Sequence, residues 1–108
     1  MEGLELTAFQ IISSVGTARS CYIEAIQAAK KSDYEEAEKL IKEGDEAFIE
    51  GHDAHAGLLQ KEASGEGNTV NLLILHAEDQ LMSAEAFKTI ALEFIDAYKR
   101  IEALEKKA

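Results

Sequence analysis

Residues 72–82 read LLILHAEDQLM, and the fold turns on this stretch. At about 100° per residue on a helix, Leu72, His76, Asp79, Ser83, Ala86, Ile90 and Ala97 share one side. Leu73, Ala77, Leu81, Ala84, Ala91, Ile95 and Tyr98 form a second stripe, roughly 140° away. A surface helix of a small bundle needs one apolar stripe. Two stripes predict a helix that packs against its own subunit with one side and against something else with the other. His76 and Asp79 lie on the side turned away from the subunit.

Working outward, the helical pattern runs from about Val70 to Lys106, roughly 55 Å at 1.5 Å per residue. Its lysine-rich ending, KRIEALEKKA, suits the negative end of the helix dipole. Upstream, Ser64-Gly65-Glu66-Gly67-Asn68 is the clearest break in the chain, with Asn68 or Thr69 placed to cap the helix that follows. Before it, residues 33–63 read as a second helix with an inner seam of Ala37, Leu40, Gly44, Ala47, Gly51, Ala54 and Leu58. That seam is small enough for a neighbouring helix to come close, which offsets the helix propensity its glycines forgo. Lys31-Ser32-Asp33-Tyr34 is a turn, and Ser32 with Glu35 resembles a capping box. Residues 4–31 carry the first helix, whose seam of Leu4, Ala8, Ile11, Val15, Ala18, Tyr22, Ala25 and Ala29 steps by fours and threes. Gly16 and Arg19 interrupt the neighbouring row of Phe9, Ile12, Ile23 and Ile26; Gly16 reads as a close helix contact and Arg19 as a solvated side chain.

The composition agrees with an all-α chain: no proline, few aromatics, and much Ala, Glu, Lys, Leu and Ile. One hundred and eight residues fit one domain, 1–108, with helices at about 4–31, 33–63 and 70–106. A net charge of −10 argues against nucleic acid or anionic lipid as partner, because the dominant electrostatic term is repulsive. No apolar run approaches the roughly 20 residues a bilayer demands, so the expectation is a soluble, cytoplasmic protein. Cys21, the single cysteine, reads as a small core residue without a role.

Three histidines are candidates for chemistry. His52 and His55 stand three apart on one helix, a spacing compatible with a metal. With no cysteine nearby and no third ligand in that helix, they read as surface or hydrogen-bonded histidines. His76 is different. It lies near a helix N-terminus, whose free amides and partial positive charge favour an anion. Asp79, one turn on, can orient the ring or hold a cation, and Glu78 and Gln80 add polar groups at the edge. A neutral imidazole nitrogen is nucleophilic near pH 7, and the phosphoramidate it forms is reactive enough to pass its phosphoryl group on. The competing reading is a structural histidine satisfied by Asp79 or Gln80.

LLILHAEDQLM, with GHDAHAGLLQKEASGEG (51–67) and FQIISSVGTARSCYIEAIQAAKKSDYEEAEKL (9–40), resembles the IIA component of the lactose and cellobiose (chitobiose) branch of the bacterial phosphoenolpyruvate-dependent sugar phosphotransferase system. The resemblance runs from about Leu6 to Arg100. It implies a homotrimer of antiparallel three-helix bundles, with the long third helices around the threefold axis. It also implies that His76 accepts a phosphoryl group from phospho-HPr and passes it to a cysteine of IIB, while the sugar enters through the membrane component IIC. Such a protein is a phosphotransferase-system component acting through phosphohistidine, not a stand-alone enzyme. In the family, the aspartate at the Asp79 position points to the trimer axis and binds a divalent cation, commonly magnesium. Glutamine and histidine occur in relatives at the positions of Glu78 and Gln80, so Gln80 is given a supporting role only. HAEDQLM leans slightly to the cellobiose or chitobiose side, but the sugar is selected largely by IIC and partly by IIB. Two alternatives stand beside this reading. A histidine phosphotransfer domain of a two-component relay typically has lysine three residues after its histidine, where this chain has Asp79. A purely structural helical oligomer would use His76 as packing.

Overall fold

The computed structural model describes residues 3–67 and 69–108, and among them are three helices and no strand. The first, α1 (Leu4–Lys30), is the wedge of the bundle. Its seam of Ala8, Ile11, Val15, Ala18, Tyr22, Ala25 and Ala29 is buried, and both other helices, α2 (Tyr34–Ala63) and α3 (Leu72–Lys107), pack on it. Apolar residues at threes and fours make a stripe wide enough for two partners. The result is an up–down–up rod with extents of 61 × 22 × 20 Å.

The turns show how tightly the ends are determined. At the end of α1, the Ser32 amide donates to the Ala29 carbonyl and the Asp33 amide to that of Ala28, both at 2.9 Å. This paired closure places Ser32 in the left-handed region, at φ 62°. Ser32 is therefore occupied in ending α1, and the capping box expected from Ser32 and Glu35 does not form. Asp33 caps α2 instead, its carboxylate accepting from the Glu36 amide at 3.2 Å. The same closure ends α2, with Gly65 at φ 88° and the Glu66 amide bonded to the Lys61 carbonyl at 3.0 Å. The next helix is capped by Asn71, whose side chain accepts from the Ile74 amide at 3.0 Å. It therefore starts two residues later than the apolar pattern suggested; Thr69 does not cap it, and Asn68 lies outside the described residues.

The glycine seam of α2 behaves as its size requires. Gly44 and Gly51 are buried against α1. A methyl group at Gly44 would stand 2.6 Å from Tyr22 Cε1, and one at Gly51 would stand 2.6 Å from Val15 Cγ1. Gly16 is a correction: a Cβ there would meet nothing within 4 Å, so this glycine marks no close contact inside the chain. Cys21 is half-buried rather than in the core, and burial with the Glu43 and Glu24 carboxylates pushes its thiol pKa up.

α2 and α3 approach each other less closely than either approaches α1, and polar bridges span the seam between them. Glu38 faces Lys99 at 3.9 Å, Asp45 faces Lys88 at 3.0 Å, and His55 bonds Glu78. One series rises along α2 as the other falls along α3, as antiparallel helices demand. No helix among the described residues is long and apolar enough to cross a membrane.

Candidate functional site

The inner stripe of α3 is buried at Ala77, Leu81, Ala84, Ala91 and Ile95, on α1. That burial fixes the rotation of the helix, and the opposite side necessarily faces outward. Leu72, His76, Asp79, Ala86, Ile90 and Ala97 are all exposed, with Leu72 at 82%. Leu75, Met82, Phe94, Ile101 and Leu104 widen the patch to a contiguous apolar flank of the helix, far more than scattered surface leucines. The second face is thus real, and the single chain leaves it uncovered.

His76 sits in the second turn of α3, beyond the Asn71 cap. Its ring is exposed and, among the described residues, has no side-chain hydrogen bond or ion pair. The structural reading, in which Asp79 or Gln80 satisfies a buried imidazole, finds no support in this arrangement. Asp79 stands one turn further along the same face, exposed, and Gln80 lies half-buried on the side nearer α1. An exposed neutral imidazole can present a ring nitrogen to a docked partner without first breaking an internal contact.

The other histidines separate. His52 is exposed, against Phe48 at a centroid distance of 6.0 Å, with Nδ1 3.8 Å from an Asp53 carboxylate oxygen. His55 is largely enclosed and donates from Nε2 to the Glu78 carboxylate. Glu78 is thereby turned toward α2, away from the face that carries His76. No three His, Cys, Asp or Glu side chains converge as metal ligands among the described residues of the chain.

Two polar arrangements escaped the sequence reading. The Tyr22 hydroxyl donates to Asp45 Oδ1 at 2.7 Å, and Lys88 closes on the same carboxylate at 3.0 Å. Tyr22 sat in the apolar seam, and only the pairing of its hydroxyl distinguishes it from phenylalanine; burial and the Asp45 carboxylate hold its pKa above the usual tyrosine value. Arg19 is not simply the solvated side chain that its place in the sequence suggests. It donates from Nε to Ser83 Oγ at 3.1 Å and lies over the Phe87 ring, 4.7 Å from its centroid.

Comparison with known proteins gives the geometry its context. Residues 6–99 match the family model described as PTS system, Lactose/Cellobiose specific IIA subunit. The chain is 42% identical over 100 residues to the lichenan-specific phosphotransferase enzyme IIA component of Bacillus subtilis strain 168, covering 93% of this chain and 91% of that one. It is 39% identical over 95 residues to the oligo-beta-mannoside-specific EIIA component of the same strain, covering 88% and 86%. The crystal structure of the cellobiose-specific enzyme IIA of Bacillus anthracis superimposes with a TM-score of 0.90 at 40% identity, over 95% of each chain. With its three-helix architecture and nearly its whole length matched, the chain belongs to the lactose/cellobiose-specific IIA family and is a component of the sugar phosphotransferase system.

Proposed function

We propose that His76 is the phosphoryl acceptor of this IIA component. The observation that carries the reading is an exposed imidazole, free of side-chain partners among the described residues, on the one face of α3 its own subunit leaves open. A ring nitrogen attacks the phosphorus of phospho-HPr; its N–P bond forms as the donor histidine's N–P bond breaks, and HPr leaves with a neutral ring. In the second transfer, a IIB cysteine thiolate attacks the same phosphorus and His76 is released. Neither step needs covalent help from elsewhere in the chain, so catalysis rests on aligning donor, phosphorus and acceptor. Gln80, four residues on, is placed to give an amide hydrogen to a phosphoryl oxygen. The relatives are named for lichenan, oligo-beta-mannosides, lactose and cellobiose, and the sugar moved with IIC belongs with these, the protein working in the cytoplasm beside HPr.

The open face of α3 takes two further copies of itself in a parallel homotrimer. Leu72, Ala86, Ile90 and Ala97 supply apolar surface for helices around a threefold axis. Asp79 on that face would bring three carboxylates together, a set of hard oxygen donors that fits a divalent cation such as magnesium. A cation held there would supply neutralising charge between subunits, while the transfer at His76 proceeds at the edge of the face.

Incubation with phosphoenolpyruvate, enzyme I and HPr tests the assignment. The expected result is one acid-labile phosphoryl group, mapped by mass spectrometry to His76 and absent from His76→Ala and His76→Gln. Full labelling of those variants would move the site to His52 or His55. Labelling by a response-regulator donor instead would indicate a two-component relay, and none under either condition a structural oligomer.

A further inference from the structure

The first fully enclosed side chain of α3 is Ala77, a single methyl group. Ahead of it, Leu73 and Ile74 are half-buried against the core, and residues 64–67 and 69–72 are exposed. His76 therefore stands on the last thinly packed turn before the core takes hold. One methyl gives little purchase against rotation of the helix about its own axis.

A polar tie one residue beyond Ala77 supplies that purchase. Glu78 reaches across to α2 and accepts a hydrogen bond from His55 Nε2. Of the polar bridges described above, this one lies at the His76 end of the bundle. The next, Asp45 with Lys88, is ten residues further along α3, about 15 Å at 1.5 Å per residue. Two residues separate Glu78 from His76, which puts them about 200° apart round the helix. Glu78 thus grips the turn from behind while the imidazole of His76 faces out. His55, its side chain only 14% exposed, sits in the seam between α2 and α3, out of reach of a protein docked on the open face. Helical side chains extend about 5–6 Å from the axis, so a rotation of about 10° carries the His76 ring about 1 Å. In-line transfer is sensitive on that scale, where a misplacement of about 1 Å can cost ~100-fold in rate.

We propose that His55 and Glu78 are positioning residues for the phosphoryl transfer, a clasp that sets the rotation of α3 beneath His76. Their role rests on His76 being the acceptor proposed above. Neither touches the phosphoryl group. His55 acts through Glu78, and Glu78 through the helical turn it shares with His76.

Single-turnover transfer from phospho-HPr, over a range of donor concentrations, tests the clasp in His55→Ala, Glu78→Ala and His55→Gln. Alanine removes one side of the hydrogen bond, whereas glutamine at position 55 keeps an N–H that can reach the carboxylate. In both alanine variants the rate at saturating donor should fall by about tenfold, while the half-saturating concentration stays within about twofold of wild type. His55→Gln should restore most of the rate. Backbone amides of residues 75–79 should exchange faster with solvent in His55→Ala, and those of 84–95 at the wild-type rate. The Glu78 side chain is 41% exposed, so removing His55 leaves a hydrated carboxylate rather than a stranded buried charge, and circular dichroism at the assay temperature should show wild-type helicity. Folded alanine variants that keep the wild-type saturating rate, a loss confined to the half-saturating concentration, or a loss that His55→Gln does not restore overturns the clasp and leaves His76 as the acceptor. Phosphate that maps in the wild type to a residue other than His76 overturns both.

Discussion

Replacing the glycines of α2 one at a time by alanine separates helix propensity from helix approach. In an exposed helix the change gains ~1 kcal/mol, because alanine orders less chain entropy than glycine. Gly57 gives that case, since its added Cβ meets nothing within 4 Å. At Gly51 the added Cβ lies 2.6 Å from Val15 Cγ1, against a comfortable separation of about 3.5–4.0 Å. Roughly 1 Å must be found. Val15 is fully buried and stiff at χ1, and the Ile11 carbonyl oxygen at 3.5 Å limits sliding along α1. Overpacking of this kind costs about 1–3 kcal/mol, so Gly51→Ala is expected to lose about 1–2 kcal/mol net. Gly44 is worse, because three Tyr22 ring atoms lie between 2.6 and 3.1 Å and the ring is held at its far end by Asp45. Displacing it also strains that hydrogen bond, for a net loss of ~2–3 kcal/mol. At roughly 4–8 °C per kcal/mol for a chain near this size, Gly57→Ala should melt higher than wild type and Gly51→Ala and Gly44→Ala lower, in that order. Thermal denaturation by circular dichroism at one fixed protein concentration measures all three while holding any association constant. Gly44→Ala and Gly51→Ala melting at or above wild type would refute the view that α1 and α2 approach through these glycines.

Other expectations follow from single features. Asp79→Leu should give a trimer that survives EDTA while the wild type loosens, because it removes three converging carboxylates and adds apolar surface beside Leu72, Ala86 and Ile90; sedimentation with and without chelator is the measurement, and a Leu variant that falls to monomers would remove Asp79 from the axis. Tyr22→Phe should lose ~1–2 kcal/mol at neutral pH with the hydrogen bond to Asp45. The folded-state pKa of Tyr22 is raised, so its contribution is complete below the unfolded value of about 10 and declines as pH rises beyond it; urea midpoints of wild type and variant should therefore converge in strong alkali, and a constant gap would contradict this. Ser32→Gly should raise stability by up to ~1 kcal/mol, since a non-glycine residue at φ 62° carries left-handed strain, and an unchanged denaturant midpoint would count against strain there.

Much of this protein is written in its periodicities. The burial of Ala8, Ile11, Val15, Ala18, Tyr22, Ala25 and Ala29 repeats the spacing of the sequence because a helix converts spacing into direction. The same conversion put His76 and Asp79 on a face apart from Ala77 and Leu81, so an open face was legible before any contact was known. Family membership was legible too, because HAEDQLM and the segments upstream form an uncommon combination. Tertiary structure decided what depends on two segments meeting. Whether Ser32 caps α2 or ends α1 is settled by the angle at which the helices reverse, and there Asp33 takes the cap. Whether Gly16 packs depends on what stands opposite, and within the chain nothing does. His55 finds Glu78, and Arg19 finds Ser83, across 23 and 64 residues of sequence, where the first separation crosses a turn and the second an entire helix. Local pattern determines which way a side chain faces, but what it meets there is set by the packing of a different helix, and no periodicity within one segment contains that information.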